Sequence, residues 1–274
     1  MAVVRMVRAA PRHASRPEDI VDIPSNRFKR AIQAGTPQIG LWCSTCSPYV
    51  TEAVAGSGFD WLLLDTEHAP GDLREVMGQL QACLESTSHP IVRPAWNDMV
   101  LAKRYLDVGA QTLLVPYVQT EDEARQAVAH TRYPPRGVRG VGGTTRATRF
   151  GRVTDYFAKA SEEICVLVQV ESRLGLDNLD AIVAVDGVDG VFIGPSDLAA
   201  GLGHLGNPNH PEVRSAIDFA IGRVRELGKA PGFLTADEAH ARHVLDQGAL
   251  FVAVGIDLTL LARETEKLAQ RFRV

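Results

Sequence analysis

Ionisable side chains directly follow several short apolar runs of this 274-residue sequence. In WLLLDTEHAP (61–70), the apolar letters give way to Asp65, Glu67 and His68. Arg93 lies near the end of PIVRP, and Glu171 ends CVLVQVE. Such groups can transfer protons, bind a metal ion or hold an anion, provided that the surrounding elements bring them together.

Asp65 and His68 form the first candidate pair. A carboxylate that hydrogen-bonds an imidazole fixes its tautomer and makes it a better base. We therefore predict a catalytic dyad of Asp65 and His68, with Glu67 pointing away from it. The alternative is that His68 is a surface or structural histidine.

Glu171 and Asp197 form the second candidate group. In VQVE the valines alternate with Gln169 and Glu171, so the two polar side chains should face the inside of the fold. Asp197 ends the next β-rich run, which makes the two carboxylates predicted neighbours. Two oxygen ligands with open positions suit Mg²⁺ or Mn²⁺. The alternative is that Asp197 caps a helix and Glu171 pairs with an arginine.

Arg93 is the candidate cation of the site. Its planar guanidinium suits a carboxylate or an enolate oxygen, although a structural ion pair is the alternative. The chain has five lysines, at positions 29, 103, 159, 229 and 267. None follows a β-rich run directly, and a Schiff-base mechanism needs a lysine in the site, so we do not expect that chemistry.

A C-x-x-C motif, Cys43 to Cys46, follows Trp42. This spacing occurs in thiol oxidoreductases, which gives a competing hypothesis from another functional class. A zinc site would need a second ligand pair. We expect ordinary thiols here, so that replacing both by serine should inactivate a redox protein but not an enzyme that uses other chemistry.

Eight β-rich runs must position these residues, at 38–44, 61–65, 90–94, 112–117, 165–171, 190–197, 230–235 and 251–257. Most are continuously apolar, as in parallel strands that are covered on both faces. Helical patterns lie between them, for example at 72–86 and 211–228. The pattern predicts an α/β fold, a (β/α)₈ TIM barrel, whose active site lies at the carboxyl ends of the strands. An open doubly wound sheet is the alternative, but the first βα turn lacks G-x-G-x-x-G.

Composition excludes some partners. Lysine and arginine total 29 against 33 acidic residues, which gives no indication of nucleic-acid binding. No apolar run reaches the roughly 18 residues of a membrane span, and four cysteines suit a reducing cytoplasm.

Residues 1–25 are expected to be a disordered extension, and residues 26–274 are expected to form a single domain. The Gly-rich stretch 137–143 is expected to be a flexible connection or a loop that reaches an active site.

Several motifs occur together in one order: FDWLLLDTEHAP, VRPAWND, RYPPRGVRGVGG, CVLVQVES, GVFIGPSDL and QGALFVAVGID. They resemble the HpcH/HpaI aldolase family over about 28–272. The resemblance implies a class II pyruvate aldolase that uses Mg²⁺, Mn²⁺ or Co²⁺ and no organic cofactor. It implies reversible cleavage of a 4-hydroxy-2-oxo acid. The leading candidate is 4-hydroxy-2-oxoheptanedioate of aromatic-compound catabolism, which gives pyruvate and succinate semialdehyde.

The resemblance also implies residue roles. Glu171 and Asp197 match the metal ligands. Arg93 matches the arginine that holds the pyruvate oxygens, and His68 with Asp65 matches the catalytic dyad.

Three further residues would contact substrate. Gln169 would line the pyruvate pocket, Trp42 would lie near the aldehyde, and backbone N–H groups at Ser196 and Asp197 would hold a carboxylate. The family is similarly hexameric, a trimer of dimers, and its last helix, here about 258–272, is exchanged between subunits.

Alternatives remain within and beyond the family. A sugar-acid (2-dehydro-3-deoxy-aldarate) aldolase shares most of the motifs, and a citryl- or malyl-CoA lyase is a more distant candidate. A binding protein without turnover is a third. Thr66 stands where the family pattern predicts glycine, which leaves the aldehyde preference open.

Overall fold

The computed structural model describes residues 21–273. Within them, eight parallel strands form a closed barrel in which each strand pairs with the next and the last pairs with the first. The strands are β1 (Gln38–Cys43), β2 (Trp61–Asp65), β3 (His89–Arg93), β4 (Thr112–Val115), β5 (Cys165–Val170), β6 (Gly190–Ile193), β7 (Ala230–Leu234) and β8 (Phe251–Ile256). All eight predicted strands and the barrel are confirmed, and the open sheet is excluded. β6 ends earlier than predicted because Pro195 begins a helix.

Helices cover the barrel. They are α1 (Arg27–Gln33), α2 (Pro48–Ala55), α3 (Leu73–Ala82), α4 (Met99–Asp107), α5 (Glu121–Thr131), α6 (Tyr156–Glu163), α7 (Arg173–Asp177), α8 (Leu179–Val183), α9 (Pro195–Gly201), α10 (Pro211–Glu226), α11 (Glu238–Asp246) and α12 (Asp257–Gln270). The predicted helices in 72–86, 211–228 and 258–272 correspond to α3, α10 and α12. None of the helices in the described range is long and apolar enough to cross a membrane.

Side-chain alternation along β2 shows how the strands position polar groups. Leu62 and Leu64 pack in the layer between strands and helices, whereas Trp61 and Leu63 pack inside the barrel. Burying each such leucine stabilises the fold by about 1.5–3 kcal/mol. With a period of two, Asp65 continues the inward row at the carboxyl end of the strand.

Aromatic rings fill the amino end of the barrel. Phe28 of α1 lies 6.2 Å from Trp61 and 5.8 Å from Phe251, measured between ring centroids. A Cβ at Gly40 would come within 2.2 Å of the Trp61 ring, and one at Gly232 within 2.1 Å of Phe251. Only glycine leaves room for these rings at the two positions. The open end of the barrel is therefore the carboxyl end, called the rim below.

Two segments outside the strands also carry predictions from the sequence. The predicted N-terminal extension falls mostly on residues 1–20, outside the described residues, but Val21 and Ile23 already pack against the outer core. The Gly-rich stretch 137–143 is held by Arg139, which is fully buried and donates to Asp107 Oδ1 at 2.9 Å. Arg139 therefore anchors this stretch to α4, while its predicted flexibility and its predicted reach toward an active site both stay predictions.

Candidate active site

A buried ion pair joins the ends of β2 and β3. Asp65 and Arg93 are register partners. The Arg93 Nε and one terminal nitrogen donate to the two Asp65 carboxylate oxygens at 2.8 and 2.7 Å. The guanidinium lies 4.7 Å above the Trp42 ring, whose indole N–H donates to Asp65 Oδ2 at 3.2 Å. Burial alone would raise the pKa of Asp65, but hydrogen bonds and charge from Arg93 hold that pKa below its usual value.

The predicted hydrogen bond between Asp65 and His68 is wrong. A carboxylate offers about four acceptor positions. At Asp65 they are taken by two bonds from Arg93, the Trp42 indole N–H and the Glu67 backbone N–H at 3.0 Å. The His68 side chain is 66% exposed, and its Nε2 lies 3.9 Å from Glu67 Oε1. His68 is thus on the rim, as predicted, but beside a different carboxylate.

Glu67 is a site residue that the sequence reading missed. It was expected to point away, yet its Oε2 lies 2.7 Å from the remaining terminal nitrogen of Arg93. The bond from the Glu67 N–H to Asp65 forms an aspartate turn, a recognisable local signal that brings Glu67 back over the rim. Burial, reinforced by the charges of Asp65 and Asp197, raises the pKa of Glu67 despite the attraction of Arg93.

Gln169 and Glu171 face the barrel interior, which confirms the alternation argument. Glu171 Oε1 accepts the Tyr117 backbone N–H at 2.8 Å, and Oε2 accepts Gln169 Nε2 at 2.5 Å. Burial, with the charges of Glu67 and Asp197, raises the pKa of Glu171 to about 7. A Cβ at Gly194 would lie 2.4 Å from Glu171 Oε2, so glycine is needed to accommodate this carboxylate.

The donor set fits a hard divalent cation. Asp197 lies in the first turn of α9, is exposed, and raises the pKa of both Glu67 and Glu171 by its charge. The charge of Arg93 is already shared between Asp65 and Glu67. The mutual repulsion of Glu67, Glu171 and Asp197 is therefore not fully compensated. Oxygen ligands with incomplete charge compensation are what Mg²⁺ and Mn²⁺ bind.

Gln169 is a candidate for a further oxygen ligand to such a cation or for a hydrogen bond to its water. Its Oε1 is buried and has no hydrogen-bond partner within residues 21–273. A buried polar atom without a partner is costly, so a missing partner is expected there.

Comparison with known proteins decides the family. A model described as HpcH/HpaI aldolase/citrate lyase matches residues 38–263. The chain belongs to this family. It is 59% identical over 249 residues to the 4-hydroxy-2-oxo-heptane-1,7-dioate aldolase of Klebsiella pneumoniae subsp. pneumoniae, covering 90% of this chain and 94% of that protein. The Escherichia coli protein of the same name is 58% identical over 248 residues, covering 90% and 95%.

Solved structures agree with this membership. An HpcH/HpaI aldolase/citrate lyase family protein from Burkholderia cenocepacia J2315 superposes with a TM-score of 0.88 at 41% identity, over 91% of this chain and 100% of that one. An HpcH/HpaI aldolase from Desulfitobacterium hafniense DCB-2 gives 0.80 at 29% identity, over 89% and 95%. This member of the family is therefore a carbon–carbon lyase, and its chemistry is aldol cleavage.

An aromatic pair lies on the rim of this HpcH/HpaI aldolase beside Glu171. Tyr117, whose backbone N–H binds that carboxylate, has a left-handed φ of 55°. Its ring stacks on Trp96 with 5.9 Å between centroids, and the two residues are 38% and 55% exposed. Left-handed backbone is unfavourable for a bulky residue and is concentrated at functional sites. The spacing of VPYVQ gives no signal for it.

The cysteines do not form an activated thiol pair. Cys43 is fully buried in the layer between strands and helices, and Cys46 is half-buried. Burial raises the pKa of both thiols. Reactive cysteines have depressed thiol pKa values, so the C-x-x-C motif does not favour redox chemistry.

Thr66 stands where the family pattern has glycine. It is buried and its hydroxyl donates to the Arg93 carbonyl at 2.6 Å, which connects the ends of β2 and β3.

Proposed function

We propose that this aldolase cleaves 4-hydroxy-2-oxoheptanedioate to pyruvate and succinate semialdehyde with the help of a divalent metal ion. The name of the two relatives, 4-hydroxy-2-oxo-heptane-1,7-dioate aldolase, supports this substrate. The observation that supports the chemistry is the charge distribution at the rim: Arg93 contacts the carboxylates of Asp65 and Glu67, and the charges of Glu67 and Asp197, together with burial, raise the pKa of Glu171 to about 7. This arrangement suits the binding of a 2-oxo acid through a cation.

Glu171 and Asp197 would hold the ion, and the free Oε1 of Gln169 would face it or one of its waters. When bound, a divalent ion such as Mg²⁺, Mn²⁺ or Co²⁺ supplies Lewis-acid stabilisation of negative charge on the C2 oxygen of the oxo acid. The N–H groups at Ser196 and Asp197, which open α9, would hold the substrate carboxylate.

Arg93 would stabilise the enolate that forms when the C3–C4 bond breaks. A guanidinium has five N–H donors. Two nitrogens of Arg93 donate to Asp65, and the third lies 2.7 Å from Glu67 Oε2 without hydrogen-bond geometry. One N–H on each terminal nitrogen remains for the substrate. Because Asp65, Glu67 and the Trp42 ring fix the group beforehand, little reorganisation is needed as charge develops. In this proposal Trp42 supports Arg93 from below instead of contacting the aldehyde.

His68 would act as the general base. It accepts the C4 hydroxyl proton directly or through water, the C–O bond becomes the aldehyde carbonyl, and the C3–C4 electron pair passes into the enolate. Protonation of the enolate at C3 then gives pyruvate. His68 is accessible at the rim, where Glu67, whose pKa is raised, is the neighbouring carboxyl.

We also propose that the protein is a homohexamer in which α12 packs on a neighbouring subunit. α12 exposes Leu258, Leu261 and Leu268, and Phe272 just after it is 80% exposed. Such an apolar stripe favours a protein partner. A cytoplasmic role in the breakdown of aromatic compounds fits the substrate proposed.

The test is pyruvate release from 4-hydroxy-2-oxoheptanedioate by chelator-treated full-length protein, measured through lactate dehydrogenase. We expect no turnover with EDTA, and turnover when Mg²⁺, Mn²⁺ or Co²⁺ is added in excess. A 2-dehydro-3-deoxy-aldarate and malyl-CoA are the comparison substrates, and the double Cys43→Ser, Cys46→Ser variant is the control for thiol chemistry. Full activity in EDTA, or preference for a comparison substrate, would contradict the proposal.

A further inference from the structure

A second group of side chains that could bind a metal ion lies on the connection between α9 and α10 and in the first turn of α10. It consists of His204, His210 and Glu212. Within residues 21–273, these are the only His, Cys, Asp or Glu side chains found as a group of three whose ligand atoms all lie within 4.8 Å of one another. Neither the family chemistry nor the mechanism above uses them.

The ligand atoms of the three side chains lie within 4.8 Å of one another. His204 Nε2 lies 2.9 Å from Glu212 Oε2, close to the roughly 3.3 Å between two ligands that are each about 2.0 Å from a tetrahedral ion. The two imidazole rings stack with centroids 3.5 Å apart and planes inclined by 16°. Because the lone pair of each nitrogen lies in its ring plane, one ring must turn out of the stack for both to bind the same ion. Two of the residues are half-buried and Glu212 is exposed, which leaves a path for an ion.

The backbone holds these residues in place. The His204 N–H donates to the Ala199 carbonyl at 2.7 Å, and its own carbonyl accepts the Asn207 N–H at 2.9 Å. The His210 N–H in turn donates to the Asn207 carbonyl at 3.1 Å, and His210 is the N-cap residue of α10. The group is therefore fixed by turns and a helix start, so that less ordering is needed on binding.

We propose that His204, His210 and Glu212 form a second metal site, specific for a borderline transition ion such as Zn²⁺. Two imidazole nitrogens and one carboxylate oxygen suit Zn²⁺ and leave a position for water. The rim site offers oxygen donors only and suits harder ions. The two sites thus select different ions by ligand chemistry.

Two features should keep the affinity of this site for Zn²⁺ moderate. His210 Nδ1 accepts the Glu212 N–H at 3.3 Å, so coordination by His210 requires either the loss of this bond or the other tautomer. The positive start of α10 and the nearby Arg173 oppose a cation. We therefore expect micromolar dissociation constants.

The experiment uses untagged full-length protein carrying Glu171→Gln and Asp197→Asn, so that the rim site is disabled. Zn²⁺ binding is measured by equilibrium dialysis and metal analysis, and the effect of Zn²⁺ on Tm is recorded. His204→Phe keeps an aromatic ring for stacking, and His210→Asn keeps a capping side chain. His243→Ala is the matched control, because His243 is a surface imidazole paired with Asp218 at 3.0 Å.

We expect one equivalent of Zn²⁺ in the background protein and in the His243→Ala control. Either His204→Phe or His210→Asn should remove it and abolish the Zn²⁺-dependent rise in Tm, while Tm in EDTA stays unchanged. The proposal is overturned if the background protein binds no Zn²⁺ at micromolar free metal, if either the His204→Phe or the His210→Asn variant retains it, or if the His243→Ala control loses it. Since no turnover is measured, failure here would leave the proposed aldolase reaction unaffected.

Discussion

Replacing Glu171 by glutamine should stabilise the metal-free protein at pH 8 while abolishing metal-dependent turnover. Burial, with the charges of Glu67 and Asp197, raises the pKa of Glu171 to about 7, against about 4.3 for an unfolded chain. At about 1.4 kcal/mol per pKa unit, ionisation of this carboxyl costs the native state up to about 3–4 kcal/mol. An amide carries no such cost, still accepts the Tyr117 N–H, and can donate to the free oxygen of Gln169 once that amide turns over.

The sign of this effect depends on pH. Below about pH 4 the Glu171 carboxyl is neutral in both the folded and the unfolded protein. Because its pKa is raised in the folded protein, the stability that the neutral carboxyl contributes is lost as the pH rises through 7. The glutamine variant should therefore gain little at pH 5 and most at pH 8, where Tm should rise by up to about 10 °C. Thermal unfolding in EDTA, followed by circular dichroism, measures this, with Glu52→Gln as an exposed control. Equal Tm values at pH 8, or an equal gain at both pH values, would refute the reasoning.

Four further predictions concern the reaction and the metal site. Asp65→Asn should reduce aldol cleavage and oxaloacetate decarboxylation together, by about 10²-fold as for Arg93→Ala, because both reactions pass through the same enolate. His68→Ala should reduce aldol cleavage by about 10²–10⁴-fold and decarboxylation far less. Equal losses of the two activities would show that His68 is not the base. Pyruvate with borohydride should leave no adduct by mass spectrometry, and a pyruvate-sized increase on a lysine would contradict the class of mechanism. Gly194→Ala should weaken Mg²⁺ activation at least about tenfold without unfolding the barrel, because the new Cβ would displace Glu171; an unchanged Mg²⁺ dependence would contradict this placement.

The fold could be predicted because its signals are local. Continuous apolar runs with helical patterns between them recur eight times, and strand alternation correctly placed Gln169 and Glu171 inside the barrel. Arg93 was also correctly predicted to end a buried strand at the rim. For Gln169, Glu171 and Arg93, the prediction depended only on the position of the residue within its own strand and on the face to which its side chain points.

The pairing of rim residues could not be predicted in the same way. Asp65 is saturated by Arg93 and Trp42, which come from neighbouring strands and meet it through the register of the sheet. Sequence proximity instead suggested His68 as its partner. Alternation also fails beyond the last strand residue, where the turn after Asp65 reverses the direction expected for Glu67.

The aromatic rings at the amino end of the barrel have a kinetic consequence. Since Phe28, Trp61 and Phe251 fill that end, reactants can enter and leave only past the rim. Arg93 is 5% exposed, whereas the His68 side chain is 66% exposed. In the proposed reaction the pyruvate half of the substrate therefore lies deeper in the barrel than the aldehyde half, and the bound aldehyde blocks the path by which pyruvate leaves. We therefore expect pyruvate to bind first in the synthetic direction and to leave last in the cleavage direction.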